Sequence, residues 1–233
     1  MKRLALAVVV SFLPNALHAA DYEKISDRLR ACREVLEELS TDKQDNSVSR
    51  DLMDKAACVA VIPSAKKFAF GFGGRSGKGA VVCRTSIEGA PWSPPLMISL
   101  GGGSFGLQIG GEAADLLLLV MNHKGVNSLL GSKFTLGADV SVAAGPVGRT
   151  GEADTDAAMR AEILSYSRTR GLFVGFALEG AVVKHDKSAN EILYGEDPEP
   201  RALLAGHSLA IPAEARSFLG LLKELSPRPL PSS

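Results

Sequence analysis

Segment after segment in the middle of this chain puts small side chains on one side and bulky apolar ones on the other. Phe105, Leu107 and Ile109 alternate with Ser104, Gly106, Gln108 and Gly110, and Leu136, Ala138, Val140 and Val142 with Gly137, Asp139, Ser141 and Ala143. Leu172, Val174, Phe176 and Leu178 oppose Phe173, Gly175, Ala177 and Glu179, while Phe68, Phe70 and Phe72 alternate with Lys67, Ala69, Gly71 and Gly73. A two-residue period belongs to a strand. Small groups on one face let another backbone, or a curled part of the same sheet, come close. The pattern predicts an α+β fold: a strongly curved antiparallel sheet, open or closed into a barrel, with N-terminal helices and a C-terminal helix packed on it.

The helices carry the other period. Tyr22, Ile25, Leu29, Cys32, Leu36 and Leu39 recur in steps of three and four, and charges of both signs cover the remaining surface. That is an amphipathic helix packed on its own domain. A shorter helix is expected over residues 48–57, with Asn46 or Ser47 as N-cap. A strand over 59–62 ends at Pro63. Gly74-Arg75-Ser76-Gly77 reads as a turn leading into a strand over 79–84, and a proline-rich loop around Trp92 precedes another over 96–100. Residues 115–121 are nearly all apolar. They suit a strand buried on both faces, although periodicity alone also fits a helix. A short helix follows over 123–130. Residues 163–183 read as a hairpin whose polar tip, 167–171, carries Arg168 and Arg170. Residues 196–200 form an acidic, proline-containing linker, and Pro212 opens a helix with the stripe Phe218, Leu219, Leu222 and Leu225.

Lys2 and Arg3, the apolar run 4–13 and the small residues Ala19-Ala20 make a secretory signal peptide of residues 1–20, cleaved after Ala19 or Ala20. The expected location is periplasmic or secreted. Without Lys2 and Arg3, 24 basic residues face 26 acidic ones. That balance speaks against a general nucleic-acid binder, so any anion binding must come from a local patch. Of the three cysteines, at most one intramolecular pair can form. Cys58 and Cys83 end two strand-like runs and are the favoured disulfide, whereas Cys32 lies on the first helix's apolar stripe.

Catalytic patterns fail on context. Gly102-Gly103-Ser104-Phe105-Gly106 matches the nucleophile-elbow spacing, and Gly101, Gly103 and Gly106 match the dinucleotide fingerprint, but each needs a strand–turn–helix. Here the following residues alternate like a strand. A serine hydrolase built on Ser104, with Asp139 and His185 or His207, is the least favoured reading. The phosphate-loop pattern near Lys78 lacks its first Gly and its Ser/Thr. His123, His185 and His207 lack metal-ligand spacing, and nothing calls for a cofactor. Basic residues do gather at expected turns: Lys66, Lys67, Arg75 and Lys78 around one hairpin, Arg168 and Arg170 at another. On one edge they would make a patch for phosphate head groups. Gln108, Asp139 and Glu179 fall on the small-residue faces, where they would form an internal polar cluster or simply meet water.

The block SYSRTRGLFVGFALEG is preceded by GGGSFGLQIGG and GADVSVAAGPVGR and followed by NEILYG. With DLMDKAACVAVIPSAKKFAFGFGG and Trp92-Ser93-Pro94, it resembles the SYLF domain family over residues 29–195. The organisation implied is a SYLF-like domain over 21–195 and a linker, C-terminal helix and tail over 196–233. Eukaryotic members of that family bind phosphoinositides and other anionic lipids, and some fungal members bind and bundle actin. The resemblance implies a non-enzymatic lipid-binding protein of the cell envelope, acting on anionic lipids or a membrane surface. The alternative is an envelope scaffold for a protein partner, with actin binding only by analogy. No nucleic-acid partner is expected.

Overall fold

In the computed structural model, which describes residues 13–41, 47–87, 91–146, 160–169, 172–173, 178–206 and 210–227, two long strands carry the architecture. Strand β1 (Cys58–Cys83) and strand β2 (Leu96–Val120) pair antiparallel, from Cys58↔Val120 to Val81↔Leu96. The ribbon curls so far that the two ends of β1 meet. Arg84 donates its backbone N–H to the Ala57 carbonyl at 2.8 Å, and Cys58 and Cys83 are joined in a disulfide. The cysteines thus come together as the ends of one strand, not as neighbours in a hairpin. After helix α3 (His123–Leu130) come β3 (Lys133–Thr135), β4 (Val142–Ala144), β5 (Ile163–Thr169), β6 (Leu172–Phe173) and β7 (Val182–His185). Among the described residues the sheet runs β3-β7-β2-β5-β4, with β1 on β2 and β6 on β5. Its pairings are antiparallel except β4 with β5.

Two expected breaks in β1 are not breaks. Pro63 lacks an N–H and Ser64 takes a left-handed φ of 47°, so the pair forms a bulge between Ile62 and Ala65 and the strand continues. Ser64 recovers a partner by donating its N–H to Asp115 Oδ1 at 2.8 Å. The supposed turn 74–77 is also extended, with Gly74↔Gly103, Arg75↔Gly102 and Ser76↔Gly101 in register. Glycine on both strands lets the ribbon bend without reversing. The actual connection between β1 and β2 follows Arg84, which bridges to Trp92.

Both sheet faces are covered. On one, Val59, Val61, Val82, Met97, Leu117 and Leu119 pack against α1 (Leu13–Thr41), α2 (Arg50–Lys55), α4 (Lys187–Tyr194) and α6 (Arg216–Leu225). The expected stripes do this: Leu29, Cys32, Leu36 and Leu39 of α1 and Phe218, Leu219, Leu222 and Leu225 of α6 are buried. On the other face Ile98, Leu100, Leu116, Leu118 and Val120 meet Phe134, Leu136, Val183, Leu203 and Leu204. Residues 116–120 are therefore a strand buried on both sides. Leu203 and Leu204 belong to α5 (Pro200–Leu204), whose start is capped by Glu199 accepting from the Ala202 N–H at 2.6 Å. The acidic, proline-bearing segment expected to be a linker is a helix entrance instead. Among the described residues no helix is long and apolar enough to cross a membrane.

Candidate functional site

The basic residues singled out from the sequence divide into two groups along β2. Lys66, Lys67 and Arg168 lie opposite Ala113, Glu112 and Asp115, whereas Arg75 and Lys78 lie opposite Gly102 and Ser99. Residues 103–111 lie between the two groups along β2, but β1 folds onto itself so that Gly77 meets Ala65, which brings Lys66 beside the stretch that carries Lys78. Arg168 is also engaged, with Nη1 3.4 Å from Glu38 Oε2. Arg170 lies outside the described residues. Because 74–77 is strand, Arg75 and Lys78 sit on a sheet and not on a loop.

That sheet setting gives Lys78 its direction. Gly77 and Gly79 flank it on the opposite face, against Ile62, Ala65 and the Val61 carbonyl, where β1 lies on itself. Lys78 therefore points to the helix-bearing face, with 63% of its side chain exposed. Here a groove of about 630 Å³ opens across β1, β2, β7 and β3. Register places four residues in one line: Lys78 opposite Ser99, Ser99 opposite Lys184, Lys184 opposite Lys133. Directly opposed residues share a face, so three ammonium groups and a hydroxyl project together. Lys187 lies at the rim with Nζ 3.2 Å from Asp197 Oδ2.

Among the described residues one carboxylate lines the groove. Asp186 Oδ2 accepts from Arg28 Nη1 at 2.8 Å and lies 3.5 Å from Lys78 Nζ. Burial pushes this carboxyl up, but the Arg28 hydrogen bond and the charges of Arg28 and Lys78 outweigh it and hold the pKa below the ordinary value. Nearby, the buried Asn190 amide accepts from the Met97 N–H at 2.8 Å and donates to its carbonyl at 3.3 Å, fixing β2 two residues before Ser99. Arg75 borders the groove from the opposite face. Its Nη1 donates to the Glu179 carbonyl at 2.6 Å, and its Nε is buried without a hydrogen-bond partner. Burial lowers its pKa against the opposing charge of Glu179.

Lys133, Lys184, Lys187 and Ser99 were not foreseen. Lys184 did interrupt an apolar run with strand alternation, but which strands become its neighbours is not readable from one segment. The expected polar cluster does not assemble. Asp139 is exposed and accepts from the Thr135 N–H at 2.7 Å within its own turn, Glu179 is exposed, and the Gln108 side chain lies outside the described residues. Ser104 is paired with Gly73 inside a strand, without the sharp turn a nucleophile elbow needs. Cys32 is buried, and desolvation pushes its thiol up to about 12. A separate apolar cleft of about 180 Å³ lies between Pro91, Trp92, Ile211 and Leu219, with Arg216 and Lys223 at its rim.

A family profile described as Ysc84, Las17-binding protein actin regulator, matches residues 101–225, more than half of the chain. An SH3 domain-containing protein of Schizosaccharomyces pombe is 40% identical over 159 residues, covering 66% of this chain and 36% of that one. LAS seventeen-binding protein 3 of Saccharomyces cerevisiae is 33% identical over 174 residues, 72% of this chain and 37% of its own. SH3 domain-containing YSC84-like protein 1 of Xenopus laevis is 31% identical over 198 residues, 83% of this chain and 58% of its own. The chain thus spans less than two thirds of the length of each of these relatives.

Proposed function

Because the chain belongs to the Ysc84, or SYLF, family, we propose that it is a non-enzymatic interaction module whose basic groove receives an acidic surface of a partner protein. The observation that carries this reading is the cross-strand line of Lys78, Lys184 and Lys133. Like charges directly opposite one another on a sheet are destabilising, and among the described residues no carboxylate pairs with Lys133 or Lys184. A ligand's negative charge would relieve that repulsion. The relatives' names, which describe binding to another protein, support an interaction role. The experiment is a titration of the mature chain with a glutamate-rich peptide, followed by salt and by the double variant Lys133→Gln/Lys184→Gln. Saturable binding that weakens in both is expected. Binding indifferent to the two lysines rejects the groove as the interface.

A second reading, an anionic membrane surface, is favoured by the cleft beside Trp92, where apolar side chains lie next to Arg216 and Lys223. Co-sedimentation with vesicles containing and lacking anionic lipid tests it, and equal recovery from both rejects it. The place of action proposed is the periplasm or the outside of the cell after removal of residues 1–20. The Cys58–Cys83 disulfide suits an oxidising compartment. Ile25 is the first of the described core residues of α1, so cleavage after Ala19 or Ala20 leaves the described core intact. N-terminal sequencing of the exported chain checks this, with Met1 at the terminus as the contrary result.

A further inference from the structure

We propose that the acidic surface received by the groove belongs to a second copy of this chain, the two copies pairing about a two-fold axis that crosses α4. The inference deepens the reading of the groove as the seat of an acidic partner and rests on it. Helix α4 joins two openings of opposite charge. Its first residue, Lys187, and the preceding Asp186 border the basic groove. Four residues further, about 6 Å along the helix axis, Glu191 lines a second cleft of about 600 Å³, together with Ile192, Gly195 and, from α1, Tyr22 and Glu23. Among the described residues no lysine, arginine or histidine lines this cleft. Glu196 follows Gly195 directly and extends the acidic edge. Glu23, Glu191 and Glu196 are exposed and have no ion-pair partner among the described residues, which is also the condition of Lys133 and Lys184 across the groove.

Both openings lie on one side of the molecule, because α1 and α4 pack on the face to which Lys78 points. A half turn about an axis perpendicular to α4, between Lys187 and Glu191, lays each groove over the other copy's acidic cleft. The two α4 helices then run antiparallel, and both charge contacts form at once. Such a contact is isologous and closes at two copies. Tyr22, 38% exposed, and the partly buried Ile192 add apolar surface beside the charges. Net charge does not oppose the pairing, since 24 basic residues face 26 acidic ones once Lys2 and Arg3 are gone. Ala19 also lines the cleft, so removal of the leader trims one wall. The new α-ammonium then offsets the nearby charge of Glu23 and leaves Glu191 and Glu196 as the acidic contacts.

Sedimentation equilibrium of the mature full chain tests the pairing. The expected result is a concentration-dependent monomer–dimer equilibrium without larger species. Raising salt from about 0.1 M to about 1 M, which shortens the screening length from about 10 Å to about 3 Å, should dissociate the dimer. Lys133→Glu/Lys184→Glu and Glu191→Lys/Glu196→Lys are exposed changes, and thermal melts confirm that each variant folds. Each alone is expected to weaken association about 20-fold or more, because every reversed contact occurs twice. An equal mixture of the two variants should associate again as a heterodimer, since each reversed patch then meets its complement. A wild-type chain that stays monomeric, a dimer indifferent to the lysine reversals, or a mixture that fails to associate overturns the inference. Growth beyond two copies overturns the two-fold arrangement. A monomeric wild type that still binds the glutamate-rich peptide through Lys133 and Lys184 overturns the second copy as partner and leaves the acidic-partner reading standing.

Discussion

Gly79 has no room for a side chain: a Cβ there would overlap the Val61 carbonyl oxygen and crowd the Ile62 Cα. Overpacking of this kind, against backbone, costs about 1–3 kcal/mol. Gly79→Ala is therefore expected to lower the unfolding free energy by that amount, read as a lower urea midpoint, and to disturb the outward aim of Lys78. An unchanged midpoint would mean that the two halves of β1 do not touch. Asp186 supplies a second test at this scale. A carboxyl held below its unfolded value stabilises the fold above that value and gives the stability up as pH falls through the folded one. The loss from Asp186 begins below about pH 4, the unfolded aspartate value. Arg28 from α1, Lys78 from β1 and the Ala189 N–H of α4 face this group. Asp186→Asn should thus flatten the acid limb of stability, measured by denaturant unfolding between pH 5 and 2, and an identical limb would remove Asp186 from the balance. Neither residue could be ranked from sequence, where Gly79 only opened a strand after a supposed turn and nothing singled out Asp186.

Among the elements, those whose burial is one-sided were the most legible. The stripes of α1 and α6 alternate at helical spacing because each meets a single core, and residues 115–120 were apolar enough to show burial on both faces. The ribbon of β1 and β2 was harder. Gly-Arg-Ser-Gly carries the chemistry of a turn, and only the glycines opposite it, at 101–103, show that a bent ribbon uses the same residues. The acidic start of α5 was obscure for a similar reason, since Pro200 serves a helix entrance as readily as a linker. The disulfide belongs to this scale because it staples the ends of one element. Cys58 and Cys83 are 25 residues apart, and closing a loop of that length is worth about 3 kcal/mol on the chain-entropy account. The double variant Cys58→Ser/Cys83→Ser should lose about that much stability in urea, with no further loss on adding reductant. Wild-type stability that ignores reductant would show that the curl holds without its staple.

For the molecule as a whole, the near balance of charge says nothing about where binding occurs, because curling the sheet sorts the charges locally. It brings residues 78, 99, 184 and 133, which are remote in sequence, onto one line. Cross-strand register creates the groove, and register depends on all four strands at once. This is why the family and the curved sheet could be read from one sequence while half of the groove could not. The placement gives the central claim a direct footprint. Amide chemical-shift mapping of the mature chain, titrated with the glutamate-rich peptide, should perturb residues 76–78, 99–101, 132–133 and 184–187 together. Perturbation concentrated at Trp92, Ile211, Arg216, Leu219 and Lys223, with the groove unmoved, would contradict the account.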